Sequence, residues 1–306
     1  MTVIGLFLAS LFTVVELNCE NLFDCQHDSL RNDYDFLPTS EKQWTTNRYW
    51  EKLNNIAREI LSCGTDDRLP DVVCMVEVEN DTVMRDLTRR SLMRNAGYEY
   101  VMTDGIDERG IDVVLMYQTN TFHIIDHESL RIRRDSTERP TRDILHVVGE
   151  LRSGDTIDVF VVHFPSRRNG LKQTRDYRLR AVSTILERIE NLAENHSILV
   201  AGDFNDYRDD ASLQAFAEAG FTNATADAKG NNGAEGTYKY RGEWGSLDHI
   251  LLRGNIKRHL QTTHINDLPF LLQGEEEQKM PRRTYRGNFY QGGYSDHLPL
   301  VATFAF

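Results

Sequence analysis

Carboxylate, amide and imidazole side chains follow apolar runs at several places along this 306-residue chain. Glu77 follows the apolar run Val72–Val76, and His163 follows Val159–Val162. Apolar runs of this kind predict buried strands, and polar groups at strand ends can gather on one rim of a sheet sandwich. The residues expected on that rim are Glu77, His163, Asp203, Asn205, Asp248, Asp296 and His297.

This set of side chains suits a hard divalent cation. Mg²⁺ prefers carboxylate oxygens and is usually held by one or two carboxylates together with phosphate oxygens of the substrate. Two imidazoles and a further carboxylate would then serve acid–base roles near neutral pH. The chemistry favoured is attack of water on a phosphoester, because a metal ion and nearby donors neutralise charge on the scissile phosphate. We expect Mg²⁺ as the cofactor, with Mn²⁺ or Ca²⁺ as alternatives.

Alternating strand-like and helix-like periodicity predicts the elements that position these residues. The predicted strands are Leu11–Asn18, Asp71–Glu77, Tyr98–Thr103, Ile111–Tyr117, Phe122–His127, Asp143–Leu151, Thr156–His163, Ser197–Asp203, Leu247–Leu252 and Pro299–Phe304. The predicted helices are Asn47–Cys63, Asp81–Asn95, Leu171–Asn191 and Asp210–Ala219. Ten predicted strands against four predicted helices are too many strands for a doubly wound fold. This proportion favours an α/β architecture in which two sheets face each other and the helices lie outside.

Seven short segments, in order from residue 16 to residue 299, resemble motifs of the endonuclease/exonuclease/phosphatase superfamily of DNase I-like phosphodiesterases. They are Glu16–Phe23, Pro70–Glu77, Arg109–Val113, Val162–Arg167, Gly202–Asn205, Leu247–His249 and Ser295–Pro299. The motifs are most similar to those of bacterial DNase I-like nucleases. The resemblance implies a four-layer α/β sandwich of two mixed sheets in a single domain over residues 1–306. Residues 1–10 are expected to be a leader remnant or an edge strand.

The resemblance also implies a role for each matching residue near the metal. Glu77 is expected to be the principal metal ligand. Asn18 and Asp296 are expected to lie close to the metal or its waters. The same resemblance makes Asp112 an expected partner that orients His163 within the substrate-binding region.

The expected catalytic residues surround the scissile phosphate. Asp203 would position or deprotonate the attacking water, and Asn205 would contact the phosphate beside it. His297 would act on the phosphate while Asp248 holds its tautomer. His163 would help the leaving group. The remaining expected substrate-binding residues are Arg109 and Arg167, since a guanidinium fork matches phosphate geometry.

Charge distribution bears on the substrate. The net charge is −12, which argues against a simple basic coat on nucleic acid but leaves room for a local basic cleft. Lys and Arg cluster in residues 163–180 and 279–286, which suits a polyanion. We therefore favour a metal-dependent nuclease acting on DNA or RNA, with no stable protein partner. The alternatives are a lipid or small-molecule phosphodiesterase or phosphatase, and a non-catalytic phosphate-binding module.

Localisation stays open at the sequence level. No apolar run reaches the roughly 18 residues that span a bilayer, so no transmembrane segment is expected. Val3–Val15 resembles the apolar part of a signal peptide, although no Lys or Arg precedes it, and this gives a weak indication of export to the periplasm or beyond. The four cysteines form no C-x-x-C pair, so a zinc site is not predicted, while a Cys19–Cys25 bridge stays open.

Overall fold

The computed structural model describes residues 10–65, 68–133, 139–167 and 170–306. Its strands are β1 (Leu11–Leu22), β2 (Val72–Val78), β3 (Tyr98–Met102), β4 (Asp112–Gln118), β5 (Phe122–Leu130), β6 (Ile144–Leu151), β7 (Thr156–His163), β8 (Ser197–Asp203), β9 (Thr222–Asn223), β10 (Tyr238–Tyr240), β11 (Glu243–Gly245), β12 (Asp248–Arg253), β13 (Leu260–Ile265), β14 (Leu272–Gln273), β15 (Met280–Pro281), β16 (Tyr285–Arg286), β17 (Phe289–Tyr290) and β18 (Leu300–Ala305). Its α-helices are α1 (Thr46–Leu61), α2 (Asp81–Arg89), α3 (Leu171–Arg188) and α4 (Ala211–Glu218).

Two mixed sheets of six strands each make up the centre of the described structure. The first has the order β13-β18-β1-β2-β4-β3, and the second has the order β5-β6-β7-β8-β12-β9. In the first sheet β1 runs parallel to β2 and antiparallel to β18, and in the second β8 runs parallel to β7 and antiparallel to β12. The predicted α/β sandwich of two mixed sheets is confirmed.

Three apolar clusters account for the layering. Along β1, Phe12 and Val14 face the second sheet, whereas Val15 and Leu17 face α1 and α2. This alternation follows from the two-residue period of a strand. A third cluster packs α3 and α4 against the outer face of the second sheet. The helices therefore lie outside the two sheets, and the central cluster between the sheets ends at the rim where the polar residues collect.

The structure adds the short strands β9, β10, β11 and β14–β17 to the predicted elements, and it ends α3 at Arg188 rather than at Asn191. Two larger differences concern β13 and α2. Strand β13 was not predicted, because its polar sequence Gln-Thr-Thr-His lies at the sheet edge and lacks an apolar pattern. Helix α2 ends at Arg89 rather than at Asn95, and Leu92, which was expected on its apolar face, is exposed. The reason is local: the Ser91 hydroxyl bonds the Leu87 carbonyl and accepts the Met93 N–H, so a side chain takes over backbone hydrogen bonds.

Other sequence-level questions concern the cysteines and the N-terminus. All four cysteines are free, so the Cys19–Cys25 bridge that the sequence left open does not form. Residues 1–9, which include most of the expected leader or edge segment, lie outside the described residues. None of the described helices combines the length and the apolar character needed to cross a bilayer.

Helix α1 fixes the segment that leads to the last strand. Lys52 is fully buried, and its ammonium donates to the Thr284 hydroxyl at 2.8 Å and to the Tyr294 carbonyl. The Asn55 amide donates to the Gly293 carbonyl at 2.8 Å. These contacts join α1 to residues more than 230 positions away, and they hold in place the chain just before Asp296.

Gly202 occupies a position on β8 that leaves no room for a side chain. Its φ is +147°, and a Cβ there would stand 1.9 Å from the Val162 carbonyl oxygen on β7. We expect Gly202→Ala to lower the free energy of unfolding in urea by about 2 kcal/mol, because the parallel strands must separate. Gly154→Ala is the control: Gly154 has φ +89° and open space around it, so only a backbone cost of about 1 kcal/mol applies. Equal losses in the two variants would contradict the close packing inferred at Gly202.

Glu59 on α1 makes stability depend on pH. Its side chain is fully buried, and its carboxylate oxygens have no hydrogen-bond partner among the described residues. Burial raises the pKa of Glu59 from 4.5 to about 8, against the opposing effect of Lys52. Because the folded state keeps a proton that the unfolded state releases, the contribution of Glu59 to stability is full below about pH 4.5 and is lost as the pH rises toward 8.

The variant Glu59→Gln should therefore lose less stability than the wild type between about pH 5 and pH 8, by roughly 3 kcal/mol. Urea unfolding at several pH values measures the difference. Glu218→Gln, which changes an exposed glutamate on α4, should follow the wild-type curve. A Glu59→Gln curve parallel to that of the wild type would show that Glu59 is not protonated in the folded protein.

Candidate active site

The two sheets bring the predicted polar residues to one rim. β1 supplies Asn18, the end of β2 supplies Glu77, and β7 and β8 end in His163 and Asp203. In the antiparallel pairing of β8 with β12, Asp203 lies opposite Asp248, and in the parallel pairing of β7 with β8, His163 lies beside Asp203. The register of three neighbouring strands thus places three of the predicted residues side by side.

Asp248 and His297 form a buried ion pair at the rim. Nδ1 of His297 lies 2.7 Å from Oδ2 of Asp248, which also accepts the Thr237 hydroxyl. Burial lowers the pKa of His297, but the Asp248 carboxylate, helped by Asp296, raises it well above the ordinary value. His297 is therefore an imidazolium at neutral pH that donates Nδ1–H to Asp248 and has Nε2–H left as a donor.

Asp203 is held on two sides. Its Oδ1 accepts the Asn205 backbone N–H at 2.7 Å, and its Oδ2 accepts the Asn18 amide at 3.2 Å. Burial and the neighbouring Asp248 carboxylate raise the pKa of Asp203, whereas His297 and the Asn205 N–H lower it. The net shift is upward. A carboxylate with a raised pKa is suited to accept a proton near neutral pH.

His163 lies between two carboxylates. Its Nε2 is 3.8 Å from Oε1 of Glu77 and 3.7 Å from Oδ2 of Asp203. Burial and the charges of Arg142 and Arg109 nevertheless place the pKa of His163 well below its ordinary value. The ring is therefore neutral at pH 7, and its Nδ1 has no hydrogen-bond partner among the described residues.

Glu77 reaches the rim through an irregular backbone. Its φ is +61°, and the pairing of β2 with β4 shifts register between Val76 and Val78. Left-handed φ is uncommon for a residue with a side chain and marks local strain at functional sites. Oε2 of Glu77 accepts the Asn21 N–H at 2.9 Å and lies 3.8 Å from the guanidinium of Arg109. The β-bulge thus turns this carboxylate toward the rim.

The donor set fits a divalent cation. Ligand atoms of Asp203, Asp248 and His297 lie within 4.8 Å of one another, and Oδ1 of Asp248 is buried without a hydrogen-bond partner in the described part of the chain. Oxygen-rich sites of this kind favour Mg²⁺ or Mn²⁺ over softer metals. Because His297 is protonated, the two carboxylates are the members of this group best suited to a hard cation.

The three metal ligands predicted from the sequence surround the same group. Asn18 bonds Asp203 through its amide nitrogen, while its oxygen accepts the Glu20 N–H at 3.0 Å. Oδ1 of Asp296 is 4.0 Å from Nε2 of His297. Glu77 faces Asp203 across His163. The structure therefore brings all three to the rim, and their roles as ligands stay a prediction.

Asp112 makes its contacts outside this group. Its Oδ1 accepts the Thr103 hydroxyl and the Gly105 N–H, the latter at 2.9 Å. Burial raises the pKa of Asp112 to about 6, against the opposing Thr103 and Gly105 hydrogen bonds. These bonds fix the loop that follows β3. The role of Asp112 as the partner that orients His163 stays a prediction.

Arg167 is engaged by acidic side chains. Its Nε donates to the Asn205 carbonyl at 2.8 Å, and its guanidinium pairs with Asp206 and Asp210. These contacts brace the loop that carries Asn205, and the role of Arg167 as a phosphate ligand stays a prediction. Arg178, another member of the basic segment 163–180, is fully buried against Asp206 at 2.9 Å.

Glu16 also belongs to the site, but it was named from the sequence only as part of a motif and was assigned no role. It is fully buried on the same face of β1 as Val14 and Asn18, and its carboxyl oxygens have no partner among the described residues. Burial, Asp248 and Asp203 raise the pKa of Glu16 well above its ordinary value, which favours the protonated carboxyl group. The sequence did contain a signal for this role, because Glu16 is the charged residue within the apolar run from Leu11 to Leu17.

Two further contacts escaped sequence reasoning because they join distant segments. The Ser295 hydroxyl donates to the Asn18 carbonyl at 2.6 Å. Arg283 donates to Oδ2 of Asp296 at 2.8 Å. Ser295 lay inside a recognised motif and Arg283 inside a recognised basic segment, but neither pattern names a partner. The tertiary contacts show that both hold the last loop of the site in place.

Comparison with known proteins agrees with this geometry. The sequence profile of the Endonuclease/Exonuclease/phosphatase family matches residues 13–305. Protein angel of Drosophila melanogaster is 25% identical over 270 residues, which cover 83% of this chain and 72% of that protein. An endonuclease/exonuclease/phosphatase from Bacteroides vulgatus has a TM-score of 0.65 at 14% identity, covering 96% of this chain and 98% of that one.

A mannosyl-6-phosphatase from Bacteroides thetaiotaomicron VPI-5482 has a TM-score of 0.58 at 16% identity, covering 95% of this chain and 98% of that one. At these identities the two solved structures share the fold with this protein. The profile match extends over nearly the whole chain and includes every predicted catalytic residue. On that match, the chain belongs to the Endonuclease/Exonuclease/phosphatase family.

Proposed function

We propose that this protein is a divalent-metal-dependent phosphodiesterase that hydrolyses DNA or RNA by in-line attack of water. The observation that carries the proposal is the buried group formed by Asp203, Asp248 and His297, which lies beside the neutral His163. It places a proton acceptor, Asp203, and a charged donor, His297, in one small space, on the rim where Glu77, Asn18 and Asp296 are proposed to hold the cation. Phosphodiester hydrolysis needs these three components.

The surroundings of each catalytic side chain support a particular step of the proposed reaction. Asp203, with its raised pKa, accepts the proton of the attacking water. His297 donates Nε2–H to a phosphate oxygen while Asp248 fixes its orientation. Neutral His163 holds a proton on one ring nitrogen for the leaving oxygen. The Asn205 amide lies next to Asp203 and contributes a further donor to the phosphate.

The residues proposed to hold the cation are Glu77, Asn18 and Asp296. A bound Mg²⁺ or Mn²⁺ would neutralise negative charge on the phosphate. Arg109 lies beside Glu77 and would help to neutralise the negative charge of the bound phosphate. Basic residues also cluster in segment 279–286, although the whole chain has a net charge of −12. That contrast supports a polyanionic substrate.

We expect His297→Ala to reduce kcat on a nucleic-acid substrate by about 100- to 1000-fold, because a charged donor to the phosphate is lost. Initial rates with Mg²⁺ measure this effect, and urea unfolding checks that the variant stays folded. His123→Ala removes an exposed histidine of β5 and should retain wild-type activity. Wild-type turnover in His297→Ala would exclude this histidine from the reaction.

The variant Glu77→Gln tests the proposed ligand. Its activity should require at least about tenfold more Mg²⁺ for half-maximal rate, because a neutral amide binds a hard cation more weakly than a carboxylate does. Glu150→Gln, which changes an exposed glutamate, serves as the control. If the Mg²⁺ titration of Glu77→Gln overlays that of the wild type, the cation is held elsewhere.

The substrate class is tested with a panel in Mg²⁺ and in Mn²⁺. It contains supercoiled plasmid, single-stranded DNA, RNA, sphingomyelin, phosphoinositides and mannose 6-phosphate. The sugar phosphate is included because a mannosyl-6-phosphatase shares the fold. Cleavage of a nucleic acid with the highest kcat/KM supports the proposal. Preference for a lipid or sugar phosphate would favour the alternative substrate classes, and no hydrolysis of any substrate would favour a phosphate-binding module.

A further inference from the structure

A pocket opens beside the candidate active site. Its volume is about 180 Å³, and its lining includes Glu20, Asn21, Phe36, Lys42, Arg283 and Asp296. It adjoins the proposed metal ligands directly, because the Asn21 N–H binds Glu77 and because Asp296 is itself part of the wall. A group attached to a phosphate in the active site therefore has the pocket within reach.

The volume limits what the pocket can hold. An apolar cavity of about 150 Å³ accepts one benzene molecule. A pocket of about 180 Å³ thus has room for one ring with its substituents. A lone phosphate group would leave much of this space unfilled.

The charges in the wall point to a neutral ligand. Lys42 and Arg283 supply two cations, and Glu20 and Asp296 supply two carboxyl groups, so the four groups provide no positive excess for a second phosphate. A dianion would lie close to both acids.

The polar groups of the pocket wall also differ in their capacity to form further hydrogen bonds with a ligand. The Glu20 carboxylate accepts the backbone N–H groups of Thr284 and Tyr285, and Asp296 accepts from Arg283. These acceptors are engaged within the protein. Lys42, in contrast, pairs at 3.0 Å with Asp35, whose side chain is 73% exposed, and such an exposed pair is weak. The pocket therefore offers donors more readily than acceptors.

An aromatic cluster forms the apolar part of the wall. Phe36 stacks on Phe23 at a centroid distance of 4.1 Å, and Trp44 meets Phe36 edge-on at 6.1 Å. The ammonium of Lys42 lies 4.6 Å from the Phe36 ring centroid, so the aromatic face helps to hold the cation in position. These packed rings give the pocket an aromatic wall of the kind that commonly lines small-molecule sites.

We propose that this pocket binds a nucleobase with carbonyl oxygens on its edge, belonging to a nucleotide next to the scissile phosphate. This inference rests on the proposed nuclease function and adds the part of the substrate that is recognised. Lys and Arg donors pair well with base carbonyl oxygens. A sugar ring fits less well, because its hydroxyl groups need acceptors, and the carboxylates here are already engaged.

Equilibrium binding tests the pocket without turnover. The ligands are thymidine 5′-monophosphate, deoxyadenosine 5′-monophosphate, whose base lacks a carbonyl, and the abasic 1,2-dideoxyribose 5-phosphate, all with Mg²⁺. We expect the wild type to bind the thymidine ligand at least tenfold more tightly than the abasic one, with the adenine ligand between them. Lys42→Met removes the donor and Lys42→Trp fills the space, and in both the preference should fall to less than threefold.

Lys257→Met, which changes an exposed lysine elsewhere, should keep the full preference. Equal binding of the thymidine and abasic ligands by the wild type, or an unchanged preference in both Lys42 variants, would overturn the inference. Hydrolysis of the p-nitrophenyl ester of thymidine 5′-monophosphate is measured in parallel. Base preference in binding without any hydrolysis would contradict the proposed function and retain the pocket. Hydrolysis without base preference would support the proposed function and overturn the proposed base-binding pocket.

Discussion

The concentration of carboxyl groups in a buried space is the constraint on which the rest of this structure depends. Glu16, Asp203 and Asp248 are all shielded from solvent at the rim between the sheets. Three ionised carboxylates so placed would repel one another strongly, and water could not screen them. The protein balances these charges by raising the pKa values of Glu16 and Asp203, and by pairing Asp248 with His297, whose pKa is also raised.

This charge balance requires exact strand registers. Asp203 lies opposite Asp248 in one pair of strands and beside His163 in the other. A slip of one residue would turn each of these side chains to the opposite face of its sheet. The last loop needs a separate support, because it is not part of either sheet. Buried Lys52 on α1 provides that support through Thr284 and the Tyr294 carbonyl.

The same loop forms one wall of the pocket beside the active site. Arg283 connects the two regions, since it lines the pocket and bonds Asp296. In the proposed mechanism, positioning of the phosphate and recognition of its substituent would therefore be coupled through one short segment. Such coupling allows contacts remote from the reacting atoms to orient the phosphate for attack.

The sequence alone determined the strand-rich sandwich and most of the residues at its rim, because an apolar run followed by a polar residue is a local pattern. It also indicated His163, Asp203 and His297 through motifs that need no knowledge of their partners. Tertiary structure alone decided which charges meet: Arg167 turned out to be braced by two aspartates, and Lys52 proved to be buried under a distant loop. The physical reason is that burial and pairing set the charge and the contacts of these groups, and both arise between segments far apart in the chain.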